Sequence, residues 1–144
     1  MAGRTSLVAD RALKLYKGID AASFSATWVS VFTTPPSADL PVAHGAFEWG
    51  PPRIRVFPDS GAGSPHWGDP VDDTVFVRKI SNVGSLQWLS ITLTVSPSTV
   101  LSFGIFDAAT GGNLLTWGTL DASLIVADAQ DIVLATGTVQ IKGE

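Results

Sequence analysis

The chain has 144 residues, 45% of them hydrophobic and 15% charged, with a formal net charge of −4 and no cysteine. Disulfides and thiolate metal centres are excluded, a nucleic-acid binder would carry a basic field, and no apolar run approaches the roughly 20 residues of a membrane span. The 14 glycines and 9 prolines favour many short strands over long solvated helices, in a length that suits one domain. So low a charged fraction also fits a surface partly covered by a partner.

Residues 6–17 predict an amphipathic helix. Steps of about 100° collect Val8, Ala9, Ala12, Leu13, Leu15, Tyr16 and Ile19 on one arc and Asp10, Arg11, Lys14 and Lys17 on the other, with Leu7 the exception. Thr5 or Ser6 can cap the first backbone N–H groups, and Gly18 suits the left-handed position past the last turn. The same charges interrupt any signal-peptide core, so no cleaved signal is expected. The helix reads as a cover for a sheet, or as a basic face for a partner or membrane.

Trp28-Val29-Ser30-Val31-Phe32-Thr33 is β-branched and aromatic, apolar on both faces, and predicts a central strand. Residues 35–52 are irregular and proline-rich. Arg53-Ile54-Arg55-Val56-Phe57 alternates, with Ile54 and Val56 inward. Residues 58–73 predict another long loop, of the kind that usually carries function or contacts. Val75 and Val77 mark a strand ending at Arg78 and Lys79. Gln87 to Val95 is the cleanest alternation, predicting Leu89, Ile91, Leu93 and Val95 on a buried face and Trp88, Ser90, Thr92 and Thr94 outside, with Pro97 ending the strand. Residues 102–120 predict a hairpin of two short strands. Phe103 and Ile105 fill one buried face, and Asp107 to Asn113 supply turn chemistry. Segments at 125–126, 131–134 and 138–141 complete about eight strands. The class is mainly β: an antiparallel β-sandwich or jelly-roll-like barrel of residues about 27–142, preceded by the helix, in one domain.

No catalytic constellation converges in the sequence. His44 and His66 lie in different loops, and no nucleophile elbow, phosphate loop or His-Glu-x-x-His helix occurs. An enzyme is therefore not expected, nor a cofactor. Asp59, Asp69, Asp72 and Asp73 are hard oxygen donors in one stretch, but their spacing is not that of a calcium loop, and no metal is assigned. Five tryptophans are many for this length. Trp28, Trp88 and Trp117 fall in strands. Trp49 and Trp67 fall in Gly- and Pro-rich loops, where a ring is either an exposed interface anchor or a plug under its own loop. Candidate interface residues are therefore Trp49, Pro51, Pro52, His66 and Trp67.

The stretch Phe103-Gly104-Ile105-Phe106-Asp107-Ala108-Ala109-Thr110-Gly111-Gly112-Asn113-Leu114-Leu115-Thr116-Trp117-Gly118-Thr119-Leu120 resembles a strand–turn–strand phrase of small bacteriophage virion proteins, the tail fibre-like and head decoration (cement) proteins. Leu7 to Gly18 with Ala26 to Pro35 is similar to the family's opening helix and first strand. Ser81-Asn82, and Val126 to Ile141 with Asp131 and Gly137, are similar further on. Glu48-Trp49-Gly50-Pro51-Pro52-Arg53 stands where the family has a Glu, a glycine-rich stretch and Tyr-Ala-Arg, and Gln130 stands where it has a glycine. The resemblance implies a non-enzymatic virion structural protein, assembled in the host cytoplasm. Capsid decoration in many copies on the major capsid protein leads, with a tail or fibre scaffold as the alternative. A symmetric homo-oligomer such as a homotrimer is expected, and neither nucleic acid nor membrane is an expected partner. A carbohydrate-binding β-sandwich, stacking a sugar on Trp49 or Trp67, is the alternative of another class.

Overall fold

The computed structural model describes residues 3–4, 24–34, 52–58, 61–74, 77–93 and 96–143. The predicted helix at 6–17, and with it His44, Trp49, Pro51, Asp59 and Val75, lies outside the described residues. Eleven strands run through the rest: β1 (Gly3–Arg4), β2 (Thr27–Phe32), β3 (Ile54–Phe57), β4 (His66–Trp67), β5 (Val71–Thr74), β6 (Val77–Val83), β7 (Leu86–Trp88), β8 (Ser98–Phe106), β9 (Leu114–Val126), β10 (Ile132–Leu134) and β11 (Gln140–Gly143). All pair antiparallel. One sheet has the order β1-β9-β8-β2-β3. A second has β11-β6-β4 with β5 also on β6, and β10 pairs β7 alone. The mainly β, antiparallel class is as predicted.

The main core is drawn from both layers. Val29, Val31, Val56, Phe103, Ile105 and Leu115 come from the five-stranded sheet, Leu86, Trp88, Ile132 and Leu134 come from β7 and β10, and Val139 from the turn before β11. The hairpin at its centre differs from the predicted one in two ways. Its strands are longer, 98–106 and 114–126, and both of its faces are covered. Phe32, Phe106 and Leu114 form a second buried cluster with Trp28 and Trp117 against it. The Phe32 and Phe106 rings lie 6.1 Å apart, centroid to centroid. The second face arises because β2 and β8 are apolar at both parities, so neither face can be left in water.

Two glycines in the hairpin have a packing reason. Phe103 lies opposite Gly118, and a Cβ there would come within 2.7 Å of the Phe103 ring. A Cβ on Gly104 would meet the Phe32 ring at 2.5 Å and Leu114 at 2.8 Å. The rim of each ring reaches over the backbone of a neighbouring strand, filling space that any larger residue would occupy.

Three predicted elements are corrected. The strand expected over 87–95 stops at Trp88, and burial is exchanged at its first two apolar positions: Trp88 is 4% exposed and Leu89 68%, while Ile91 and Leu93 turn inward and Ser90 and Thr92 outward as predicted. The cause is local. The Trp88 indole is buried in the core, and Ser90 turns the chain with φ +46°. The following N–H groups are then taken by the 128–131 turn, with Ser90 donating to Asp131 Oδ1, Ile91 to the Gln130 carbonyl and Leu93 to Asp128 Oδ1. The 58–73 loop contains β4 and β5, because β6 offers both an edge to pair with. Arg78 and Lys79 open β6 rather than close it.

Candidate functional site

Of the five candidate residues, Pro52, His66 and Trp67 lie among the described residues. Pro52 is exposed, and its carbonyl accepts a hydrogen bond of 2.9 Å from Trp88 Nε1. His66 is half-buried, with Nδ1 3.1 Å from the Ser64 carbonyl oxygen. Trp67 is half-buried and packs against the main core, and its Nε1–H donates to Thr27 Oγ1 at 3.0 Å. The two indoles therefore tie elements together: Trp67 fastens β4 to the start of β2, and Trp88 fastens β7 to Pro52, two residues before β3. Buried tryptophans find partners for their N–H in this way. The structure brings Trp67 to the β2–β3 end of the large sheet, with Phe57 opposite Thr27 in the register and 45% exposed.

The described acidic residues do not converge. Asp72 pairs with Arg78 at 3.2 Å on the surface. Asp73 is held between Lys79, at 2.8 Å, and Lys142, at 2.6 Å. The two ammonium groups, Lys142 first, hold the Asp73 carboxyl below its usual value, and Asp73 in turn raises Lys142. Among the described residues, no three His, Asp or Glu side chains come together as metal ligands would.

The best-built polar feature is the tip of the β8–β9 hairpin. Asp107 Oδ1 accepts from the Asn113 N–H at 2.6 Å, and Asp107 Oδ2 from Asn113 Nδ2 at 2.8 Å. Gly111 and Gly112 take positive φ, which the turn requires. Arg53 then clamps the tip from β3's side. Its Nη1 donates to the Ala108 carbonyl at 2.8 Å and the Gly111 carbonyl at 2.6 Å, while its guanidinium carbon lies 3.4 Å from the Phe106 ring centroid. The result is a rigid, solvent-facing projection fixed to the sheet below it.

Sequence reasoning missed Asn82, which is fully buried in β6. Its Nδ2 donates to the Gly84 and Ala135 carbonyls, its Oδ1 accepts from the Val139 N–H, and its own carbonyl accepts from the Gly137 N–H. A buried amide with every group satisfied specifies one arrangement of its neighbours. The signal lay in the resemblance, which singled out Asn82, Asp131 and Gly137: all three prove to hold backbone in place.

No curated protein matches the chain. A family model described as Podophage GP4 fiber I protein gp80 matches residues 5–142 and bears out the resemblance to tail fibre-like phage proteins. Since that match leaves out only a few residues at either end, the chain belongs to the family of Podophage GP4 fiber I protein gp80.

Proposed function

We propose that the chain is a non-enzymatic structural component of a podophage virion, associated with the tail fibre. The observation that carries this is the family match over 5–142. Five of the described acidic side chains are in keeping with it. Asp107 closes a turn, Asp128 and Asp131 hold backbone N–H groups, and Asp72 and Asp73 pair with cations. Each is spent on shape. The mechanism is surface complementarity: a β-sandwich whose loop ends are pinned, as at the Arg53-clamped hairpin tip, docks with little conformational entropy to lose.

The partner is then a tail or fibre scaffold, and the candidates Trp49, Pro51, Pro52, His66 and Trp67 are the first surface to probe for it. Head decoration on the major capsid protein is the finer alternative that the resemblance raised, and copy number separates the two. Quantitative mass spectrometry of purified particles, against the major capsid protein, gives a few to a few dozen copies for a fibre-associated component. A ratio near one to one overturns the fibre reading in favour of head decoration.

A further inference from the structure

The outer edge of β9 is covered by β1 only at Thr116 and Trp117. Beyond that point the register with β8 jumps from Ser102 opposite Thr119 to Val100 opposite Leu124. Four residues, Leu120–Ser123, thus face one, Leu101, and the strand is bulged there. Among the described residues no strand pairs with Leu120–Ser123 on either side. Asp121, Ala122 and Ser123 are exposed, and Ile125 next along is 73% exposed. The same stretch forms one lip of a groove of about 400 Å³ at the mouth of the sandwich, whose lining includes Leu120, Leu124, Val133 and Leu134. Val133 is itself 48% exposed.

An open strand edge with apolar flanks pairs readily with another strand, and proteins that avoid this place charges or Pro along it or bulge it. Leu120-Asp121-Ala122-Ser123-Leu124-Ile125-Val126 carries one charge, Asp121, and no Lys or Pro, and its bulge releases Leu120–Ser123 from pairing with β8. We propose that this edge pairs antiparallel with the same edge of a second copy of this chain, about a two-fold axis at Ala122. The residue order singles out a second copy as the occupant. Centred on Ala122, the pairing sets Leu120 opposite Leu124 and Asp121 opposite Ser123, so that leucine meets leucine and each carboxylate meets a hydroxyl. Centred on Asp121 it would oppose two carboxylates, and centred on Ser123 it would set each Asp121 against Ile125. The joined sheets run continuously across the axis, and the Leu120, Leu124 and Val133 surface of each copy is covered by the other.

The pairing rests on this edge and not on the fibre reading. The test is sedimentation of the full chain over a range of micromolar concentrations. The wild type sediments as a dimer. Ala122→Lys, at an exposed position, opposes two ammonium groups at the axis and weakens the dimer on the order of 100-fold, and Ala122→Glu does the same. Mixing the two variants restores a dimer containing one of each. A wild type that is monomeric throughout, an Ala122→Lys protein that still forms the dimer, or a mixture that fails to combine overturns the proposal, and each leaves virion copy number untouched.

Discussion

The two layers of the sandwich are held by different means. The β1-β9-β8-β2-β3 sheet is packed: aromatic rings lie over Gly104 and Gly118, and apolar side chains cover both faces. Among the described residues, Ser30 Oγ, Ser102 Oγ and Trp117 Nε1 are buried in it with no hydrogen-bond partner. The β6–β11 layer is stitched. Asn82 binds five backbone groups on residues 84, 135, 137 and 139, and Asp73 joins β5 to β6 and β11 through Lys79 and Lys142. Orphaned polar atoms are tolerable only where packing supplies a surplus, because each costs about 1–3 kcal/mol. The stitched layer has shorter strands and less apolar surface to draw on, so its polar groups must be paired.

The sharpest way to break the packed layer is Phe103→Ala. The ring is 3% exposed and covers Gly118, so truncation leaves a cavity and uncovers a backbone that has no side chain of its own. A loss of about 3–5 kcal/mol is expected, read as a shift in urea midpoint with the slope unchanged. A loss under about 1 kcal/mol would mean that the layer refills the space and is less tightly packed than described. In the stitched layer, Asn82→Ala removes a side chain of modest size but leaves the Val139 N–H and the Gly84 and Ala135 carbonyls without their partner. The expected loss is about 2–3 kcal/mol, with faster amide exchange at Val139 than anywhere in β8. If exchange rises equally in both layers, the two do not differ in the way proposed.

The packed layer was the more legible of the two in the sequence. β2, β3 and the hairpin could be placed because their residues are β-branched, aromatic or strictly alternating, and such patterns report burial directly. The error at 87–95 shows the limit of that signal. Leu89 and Leu93 fit a period of two with Ile91, yet the positive φ at Ser90 and the carboxylates of Asp128 and Asp131 interrupt the ladder, and both carboxylates lie about forty residues away in the chain. The stitched layer could not be read for the same reason. Asn82 has an ordinary sequence environment, and its four partners are defined only by the fold. Among the candidate site residues, Trp67 was visible as an unusual residue in a Gly- and Pro-rich stretch, but its partner Thr27 belongs to a strand forty positions earlier. The second face of the hairpin went unread because one face suffices to explain the alternation of Phe103 and Ile105.

The mildest test concerns the ion pairs of the stitched layer, through their pH dependence. Asp73 is held below its usual value of 3.8 by hydrogen bonds from Lys142 and then Lys79. Its folded pKa is thus lower than its unfolded one, and the unfolded chain binds the extra proton in acid. The stabilisation is complete above the unfolded value and is lost as pH falls through the folded one. Lys142 is the mirror case: raised above 10.5 by Asp73, it stabilises fully below that value and loses the effect as pH rises through its folded pKa. Asp73→Asn removes both pairs. The stability gap between wild type and variant should therefore be widest near pH 7 and narrower at pH 3, below the 3.8 at which the unfolded carboxylate takes its proton, and at pH 11, above the 10.5 at which the unfolded lysine loses its own. The gap at pH 7 should be smaller than for Asn82→Ala, because Lys142 remains 48% exposed and solvent screens a pair of that kind. Urea denaturation of both proteins at the three pH values measures it. A gap that stays the same at pH 3 would show that Asp73 acts through its shape and hydrogen bonds, not its charge. The stitched layer would then be held by neutral bonds throughout, with Asn82 as the model for the whole of it.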